Sequence, residues 1–173
     1  MGCGASQDED APKAIKVTKT SARSKEGLNV KDFCMKGLTS GCHTRNPGSI
    51  AGQQFIVEDC SNCDIFLLDH VAAVNIDNCT NIRIVIGACE SSVFIRDCND
   101  CVLIAVTQQL RTRNCNNLGM LLCTTTGPIL ETSKKVRLGC FTFDYFGLAD
   151  NLKSAGKYIA CCIFNCLYLL CIN

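Results

Sequence analysis

Between Gln53 and about Cys140, apolar and polar residues alternate in short runs, and one such run is written five times. Each copy carries an anchor and a polar corner: Cys60-Ser-Asn-Cys63, Cys79-Thr-Asn-Ile82, Cys98-Asn-Asp-Cys101, Cys115-Asn-Asn-Leu118 and Ser133-Lys-Lys-Val136. Successive anchors lie 19, 19, 17 and 18 residues apart. Five positions before the anchor stand Phe55, Val74, Val93, Leu110 and Pro128. Three before it stand Val57, Ile76, Ile95, Thr112 and Leu130, and three after it Cys63, Ile82, Cys101, Leu118 and Val136. Strand side chains alternate between two faces, so these columns point to one interior when the copies stack. Asn62, Asn81, Asp100 and Asn117 share one corner, where a left-handed backbone suits Asn and Asp. The pattern predicts an all-β fold, a parallel β-helix of about five coils. The rival, a meander of antiparallel hairpins, does not require the same corner residue at a fixed interval.

The flanks break this rhythm. Residues 1–28 read as a flexible basic tail, 29–157 as the β-helix domain, and 158–173 as an apolar, cysteine-rich segment. Asn29 to Ser49, with Phe33, Met35 and Leu38, is expected to be an ordered lead-in that caps the first coil. Beyond Cys140 the phase is lost, and Leu148 to Ala155 is expected to form a short helix closing the last coil. Tyr158 to Ile172 is interrupted by Asn165 and falls short of the roughly 20 residues of a membrane-spanning helix. Packing along the β-helix, insertion into lipid and contact with another chain all remain open for it.

Composition narrows the function. A net charge of +1 lacks the basic stripe that nucleic acid asks for. Sixteen cysteines with no apolar run in residues 1 to 30 point to a reducing compartment and buried thiols rather than a secreted disulfide scaffold. Cys60-x-x-Cys63 and Cys98-x-x-Cys101 have zinc-like spacing, but the repeat explains both pairs without a metal. The two histidines, His43 and His70, have no nucleophile motif beside them, so a hydrolase triad lacks support. The chain has no glycine-rich phosphate loop, so no nucleotide or metal cofactor of its own is expected.

The amino end supplies a membrane signal. Met1-Gly2-Cys3-Gly4-Ala5-Ser6 fits N-myristoylation at Gly2, with Cys3 available for palmitoylation. One acyl chain holds a protein weakly, and the second signal is Cys3 together with the acid-free run Lys13, Lys16, Lys19, Arg23 and Lys25.

The outward columns carry the candidate contact surface. Four before the anchor stand Ile56, Asn75, Phe94, Arg111 and Ile129; two before it stand Glu58, Asp77, Arg96, Arg113 and Glu131. They predict a patch in which exposed Ile56, Phe94 and Ile129 are surrounded by charge, as at protein contacts. Gln109 precedes Arg111 on the same face. From the pattern alone, Arg111 is either an interface anchor or a cation that enters a partner's active site.

Ala51-Gly-Gln-Gln-Phe-Ile-Val-Glu-Asp-Cys60, Ser92-Val-Phe-Ile-Arg-Asp-Cys98 and above all Gln108-Gln-Leu-Arg-Thr-Arg-Asn-Cys115 resemble the tubulin-binding cofactor C domain family over about Asp32 to Asp150. The likeness is greatest to a member whose amino end is also Met-Gly-Cys and doubly acylated. The resemblance implies a right-handed parallel β-helix that activates GTP hydrolysis by a partner: an Arf-like small GTPase for that member, tubulin for cofactor C itself. The family's arginine finger falls on Arg111, with Gln108 supporting it and Phe94, Arg113 and Glu131 in or beside the contact. GTP and Mg²⁺ would be held by the partner, so the chain is expected to be a regulator with no enzymatic activity of its own. The resemblance also implies the cytoplasm, or the cytoplasmic face of a plasma or ciliary membrane. That member's second domain, similar to nucleoside diphosphate kinase, and cofactor C's helical tubulin-binding region have no counterpart in these 173 residues. The alternatives are a non-catalytic effector or scaffold for a GTP-loaded GTPase, and a tubulin-folding cofactor.

Overall fold

The computed structural model describes residues 30–157, and almost all of its regular structure is parallel strand. After a short 3-10 turn at Val30–Phe33, twelve strands follow: β1 (Cys34–Lys36), β2 (Gly41–Arg45), β3 (Phe55–Glu58), β4 (Cys63–Val71), β5 (Val74–Asp77), β6 (Arg83–Cys89), β7 (Ser92–Arg96), β8 (Asn99–Thr107), β9 (Gln109–Arg113), β10 (Asn116–Thr124), β11 (Ile129–Glu131) and β12 (Lys134–Cys140). The odd-numbered strands form one six-stranded sheet and the even-numbered strands a second, each in chain order. Each odd–even pair is one turn, so the chain is a β-solenoid of about six turns, the parallel β-helix that the repeat predicts.

The register follows the sequence columns. Val57 aligns with Ile76, Ile76 with Ile95 and Ile95 with Thr112, and all four are buried. The anchors Cys60, Cys79, Cys98 and Cys115 stack inside, and each thiol donates to the carbonyl two residues earlier. Cys63 and Cys101 are core residues as well, and burial pushes the Cys63 thiol up to about 11. Among the described residues no group of three ligand-type side chains is placed to hold a metal ion.

The corners turn as Asn and Asp permit. Asn62, Asn81, Asp100 and Asn117 have φ of 51°, 52°, 56° and 55°. A second corner, just before the anchor, is left-handed too, at Asp59, Asn78, Asp97 and Asn114. Side-chain ladders link both sets: Asn78 donates to Asp59, Asn114 to Asp97, Asn81 to Asn62 and Asn117 to Asp100.

Three expectations need correction. The lead-in is itself a turn: Met35 aligns with Val57 and Gly41 with Cys63, so β1 and β2 extend both sheets and the coils number about six rather than five. The helix α1 (Leu148–Ser154) does form, but it packs on β4 and β6 and does not close the last coil. The last turn is only partly closed, because Leu130, a core column residue, is 43 % exposed.

Between β12 and α1 a strap crosses the outer face of the even-numbered sheet. Phe141, Phe143 and Tyr145 turn inward, while Thr142, Asp144 and Phe146 face solvent. The Phe143 ring lies 6.4 Å from that of Phe66. The Tyr145 hydroxyl rests against Gly87, where a Cβ would come within 1.9 Å of it. Asn151 of α1 donates to that hydroxyl at 3.0 Å and to the Leu68 carbonyl at 3.1 Å.

Candidate functional site

The outer face of the odd-numbered sheet carries two rows across its strands. In the first, Cys34, Ile56, Asn75, Phe94, Arg111 and Ile129 are consecutive register partners. The second runs Lys36, Glu58, Asp77, Arg96, Arg113 and Glu131. Each row exists because a strand side chain two residues on returns to the same face, and parallel in-phase pairing sets equivalent residues side by side.

Arg111 stands in the middle of β9, between Phe94 on β7 and Ile129 on β11, as the columns predict. Its side chain is exposed and makes no hydrogen bond or ion pair with any described residue. The flanking apolar residues differ from expectation: Ile56, Phe94 and Ile129 are half-buried rather than exposed. They offer shallow apolar steps around a guanidinium that is unpaired among the described residues.

The second row is partly neutralised. Lys36 pairs with Glu58 at 3.0 Å. Arg96 donates to both oxygens of Asp77 at 2.6 and 2.7 Å, and this bidentate bond raises the guanidinium's pKa further. Of the predicted contact residues, Arg96 is thus already engaged. Arg113 and Glu131, exposed register partners, form no ion pair with each other or with other described residues. Gln109 is half-buried beside Ser92, on the same face as Arg111.

Gln108 occupies the corner between β8 and β9 rather than the strand. Its backbone N–H donates to Ser91 O at 3.0 Å, and its carbonyl accepts from the Thr126 N–H at 3.1 Å. Its side chain is exposed and is not hydrogen-bonded to Arg111. Gly2 and Cys3, with the basic run after them, lie outside the described residues, as does the segment 158–173.

The site has the makings of electrostatic chemistry on a visiting molecule. A permanently charged, planar guanidinium on a strand paired at both edges can stabilise negative charge without reorganising. The other titratable cluster is structural. The buried Asp69 carboxylate accepts the backbone N–H groups of Ile50 at 2.7 Å, Ala51 at 2.8 Å and His70 at 2.9 Å, and makes no hydrogen bond to the His70 ring. His70 Nε2 lies 3.6 Å from Glu90, and its ring packs over Gly52.

The sequence columns include Asp77 without showing its hold on Arg96, and the contributions of Cys34 and Lys36 to the rows were not foreseen. Charge alternation between Asp77 and Arg96 one period apart is the signal that could have revealed the first. The second was hidden because the first turn has no cysteine anchor.

Protein XRP2 of Danio rerio is 42 % identical over 156 residues, which is 90 % of this chain and 40 % of that protein. Tubulin-folding cofactor C of Arabidopsis thaliana is 30 % identical over 109 residues, 63 % of this chain and 31 % of the other. Among solved structures, Tubulin Binding Cofactor C from Leishmania major matches with a TM-score of 0.45 and 28 % identity, over 47 % of this chain and 48 % of that one. The chain spans less than half the length of the curated relatives it matches here. The model of the family described as Tubulin binding cofactor C matches residues 52–161, more than half of the chain and every turn of the solenoid after the first. The chain belongs to the tubulin binding cofactor C family.

Proposed function

We propose that this chain activates GTP hydrolysis by an Arf-like small GTPase, with Arg111 as the group that enters the partner's nucleotide site. The observation that carries this reading is an exposed arginine, unpaired among the described residues, held in register between Phe94 and Ile129. The GTPase holds GTP and Mg²⁺ and positions the attacking water. Arg111 offsets the charge that develops on the transferred phosphoryl group, a contribution of about 10³ to 10⁵ in rate where an arginine is supplied in trans. Gln108, at the adjoining corner, supports the arginine. Ile56, Phe94, Gln109, Arg113, Ile129 and Glu131 form the contact around it, with Arg96 held back by Asp77 until the partner docks. In this reading the chain has no catalytic activity of its own. Acyl groups on Gly2 and Cys3, with the basic run after them, hold it at the cytoplasmic face of a membrane, plasma or ciliary, where it serves trafficking.

Turnover of GTP by candidate Arf-like GTPases, measured with unaltered protein and with Arg111→Ala, tests the proposal. Loss of about 10³ or more in the stimulated rate, with the fold intact, is expected. Equal rates with both forms reject the finger. If unaltered protein binds the GTP-loaded partner and hydrolysis stays slow, the surface is that of an effector or scaffold. A tubulin-directed role is the second reading, favoured by the name of the Arabidopsis relative. In that case stimulation appears with tubulin and its folding cofactors instead.

A further inference from the structure

The strap leaves part of the even-numbered sheet's outer face open. Beside Phe143 lies a groove of about 210 Å³, lined by Phe66, Val85, Val102 and Ile104, with Arg83 at its rim. Val102 is 36 % exposed although β8 is an inner strand. The hollow is smaller than a small-molecule pocket and suits one large side chain. Its rim has spare donors. Arg83 gives Nε and Nη2 to Asp64, which leaves Nη1 without a partner among the described residues. Arg137 gives Nη1 to Asn117 at 3.0 Å, and its Nη2 reaches toward Val102 across Gly119. A Cβ on that glycine would lie 3.8 Å from Val102 Cγ2 and 4.0 Å from Arg137 Nη2, so glycine keeps the rim open. Arg137 has no carboxylate partner among the described residues.

The same face carries a match for this groove. Phe146, on the strap, is fully exposed. Its neighbour Tyr145 is fixed against Gly87 and by Asn151 at 3.0 Å, which holds Phe146 outward. Asp144 and Asp150 stand on either side of it in sequence, exposed and without ion pairs among the described residues. An aromatic between two acids fits an anionic lipid surface poorly. It does fit an apolar hollow rimmed by arginines. Because hollow and aromatic lie on one face, a two-fold axis can satisfy both contacts at once and close the assembly. Six strands about 4.8 Å apart, nine residues long at about 3.3 Å each, give a face of roughly 700 Å². A standard interface takes about 800 Å² per partner, so this contact is weak and concentration-dependent.

We propose that two copies of this chain pair through their even-numbered sheets, Phe146 of each entering the groove of the other while Asp144 and Asp150 meet Arg83 and Arg137. Arg111, on the other sheet, stays open in both copies. Sedimentation velocity of the full chain from roughly 1 μM to 1 mM tests this, with circular dichroism confirming the fold of each variant. The unaltered protein is expected to pass from monomeric to dimeric mass, and Phe146→Ser to need at least about tenfold more protein. Asp144→Lys with Asp150→Lys, and separately Arg83→Glu with Arg137→Glu, should each stay monomeric. Mixed in equal amounts, these two double variants should form a dimer, because both contacts regain opposite charges. Monomeric mass at every concentration overturns the proposal. So does a dimer that Phe146→Ser leaves unchanged, or a mixture that stays monomeric. Binding of monomeric protein to phosphatidylserine vesicles that is lost in Phe146→Ser also overturns it, since the aromatic then serves a membrane.

Discussion

Arg96 and Asp77 are joined by two hydrogen bonds across β5 and β7, while Arg113, next to Arg96 in the same row, has no ion-pair partner among the described residues. Two arginines side by side therefore differ in availability. Asp77→Ala should cost no more than about 1 kcal/mol of stability, since the pair is partly exposed. It should make association with the partner more sensitive to salt, because a second guanidinium is released. Affinity measured at two ionic strengths for unaltered and Asp77→Ala protein checks this.

Arg111→Lys keeps the charge and discards the planar fork. If Arg111 acts on a transferring phosphoryl group, the stimulated rate should fall by about 10² or more while affinity for the GTP-loaded partner changes only a few-fold. Single-turnover hydrolysis and a binding titration on the same preparations separate the two effects. Melting temperature should not move, because Arg111 is exposed and bonded to nothing described.

Asp69 fastens the segment before β3. Burial by itself would raise its pKa, but N–H donors from Ala51 and Ile50 outweigh it and hold the carboxyl below its ordinary range. A depressed native pKa gives stability that is fully present above the unfolded value of about 3.9 and is lost as pH falls through the native one. Asp69→Asn should therefore cost about 1 to 3 kcal/mol at neutral pH. The difference from unaltered protein should shrink below about pH 4. Urea unfolding from pH 3 to 7 gives the curve.

Gly87 admits the Tyr145 hydroxyl so closely that any side chain displaces it. Gly87→Ala should cost about 1 to 3 kcal/mol and loosen the strap with α1. Faster amide exchange over 141–157, with β5 and β7 unchanged, is the expected readout.

The thiols divide by depth. Cys42 is exposed, whereas Cys60, Cys63, Cys79, Cys98, Cys101 and Cys115 line the core. Iodoacetamide on native protein should modify Cys42 among these seven, and the six core thiols only once denaturant is added. Peptide mass spectrometry reads the pattern.

The stacking was legible because one turn repeats its chemistry: a cysteine small enough for the narrow interior, then Asn or Asp where φ must be positive. The same rule hid the first turn. Its register equivalents of Cys60 and Cys63 are Leu38 and Gly41, and the residues between β2 and β3 stretch the spacing beyond the regular interval. Helix formation at Leu148 could be read from local sequence, but its docking could not. That depends on Gly87 and Leu68, 58 and 83 residues earlier, accepting Tyr145 and Asn151. At the candidate site the order of the rows is legible in the spacing but their pairing is not, since whether Arg96 meets Asp77 or Arg113 meets Glu131 depends on rotamers.

A surface made of stacked turns has no joint in it. Phe94, Arg111 and Ile129 sit on three successive rungs whose backbones are tied together, so none of them slides or tilts alone. Whatever settles on that face must supply the adjustment itself, and its loops rather than this wall set how quickly a fit is found.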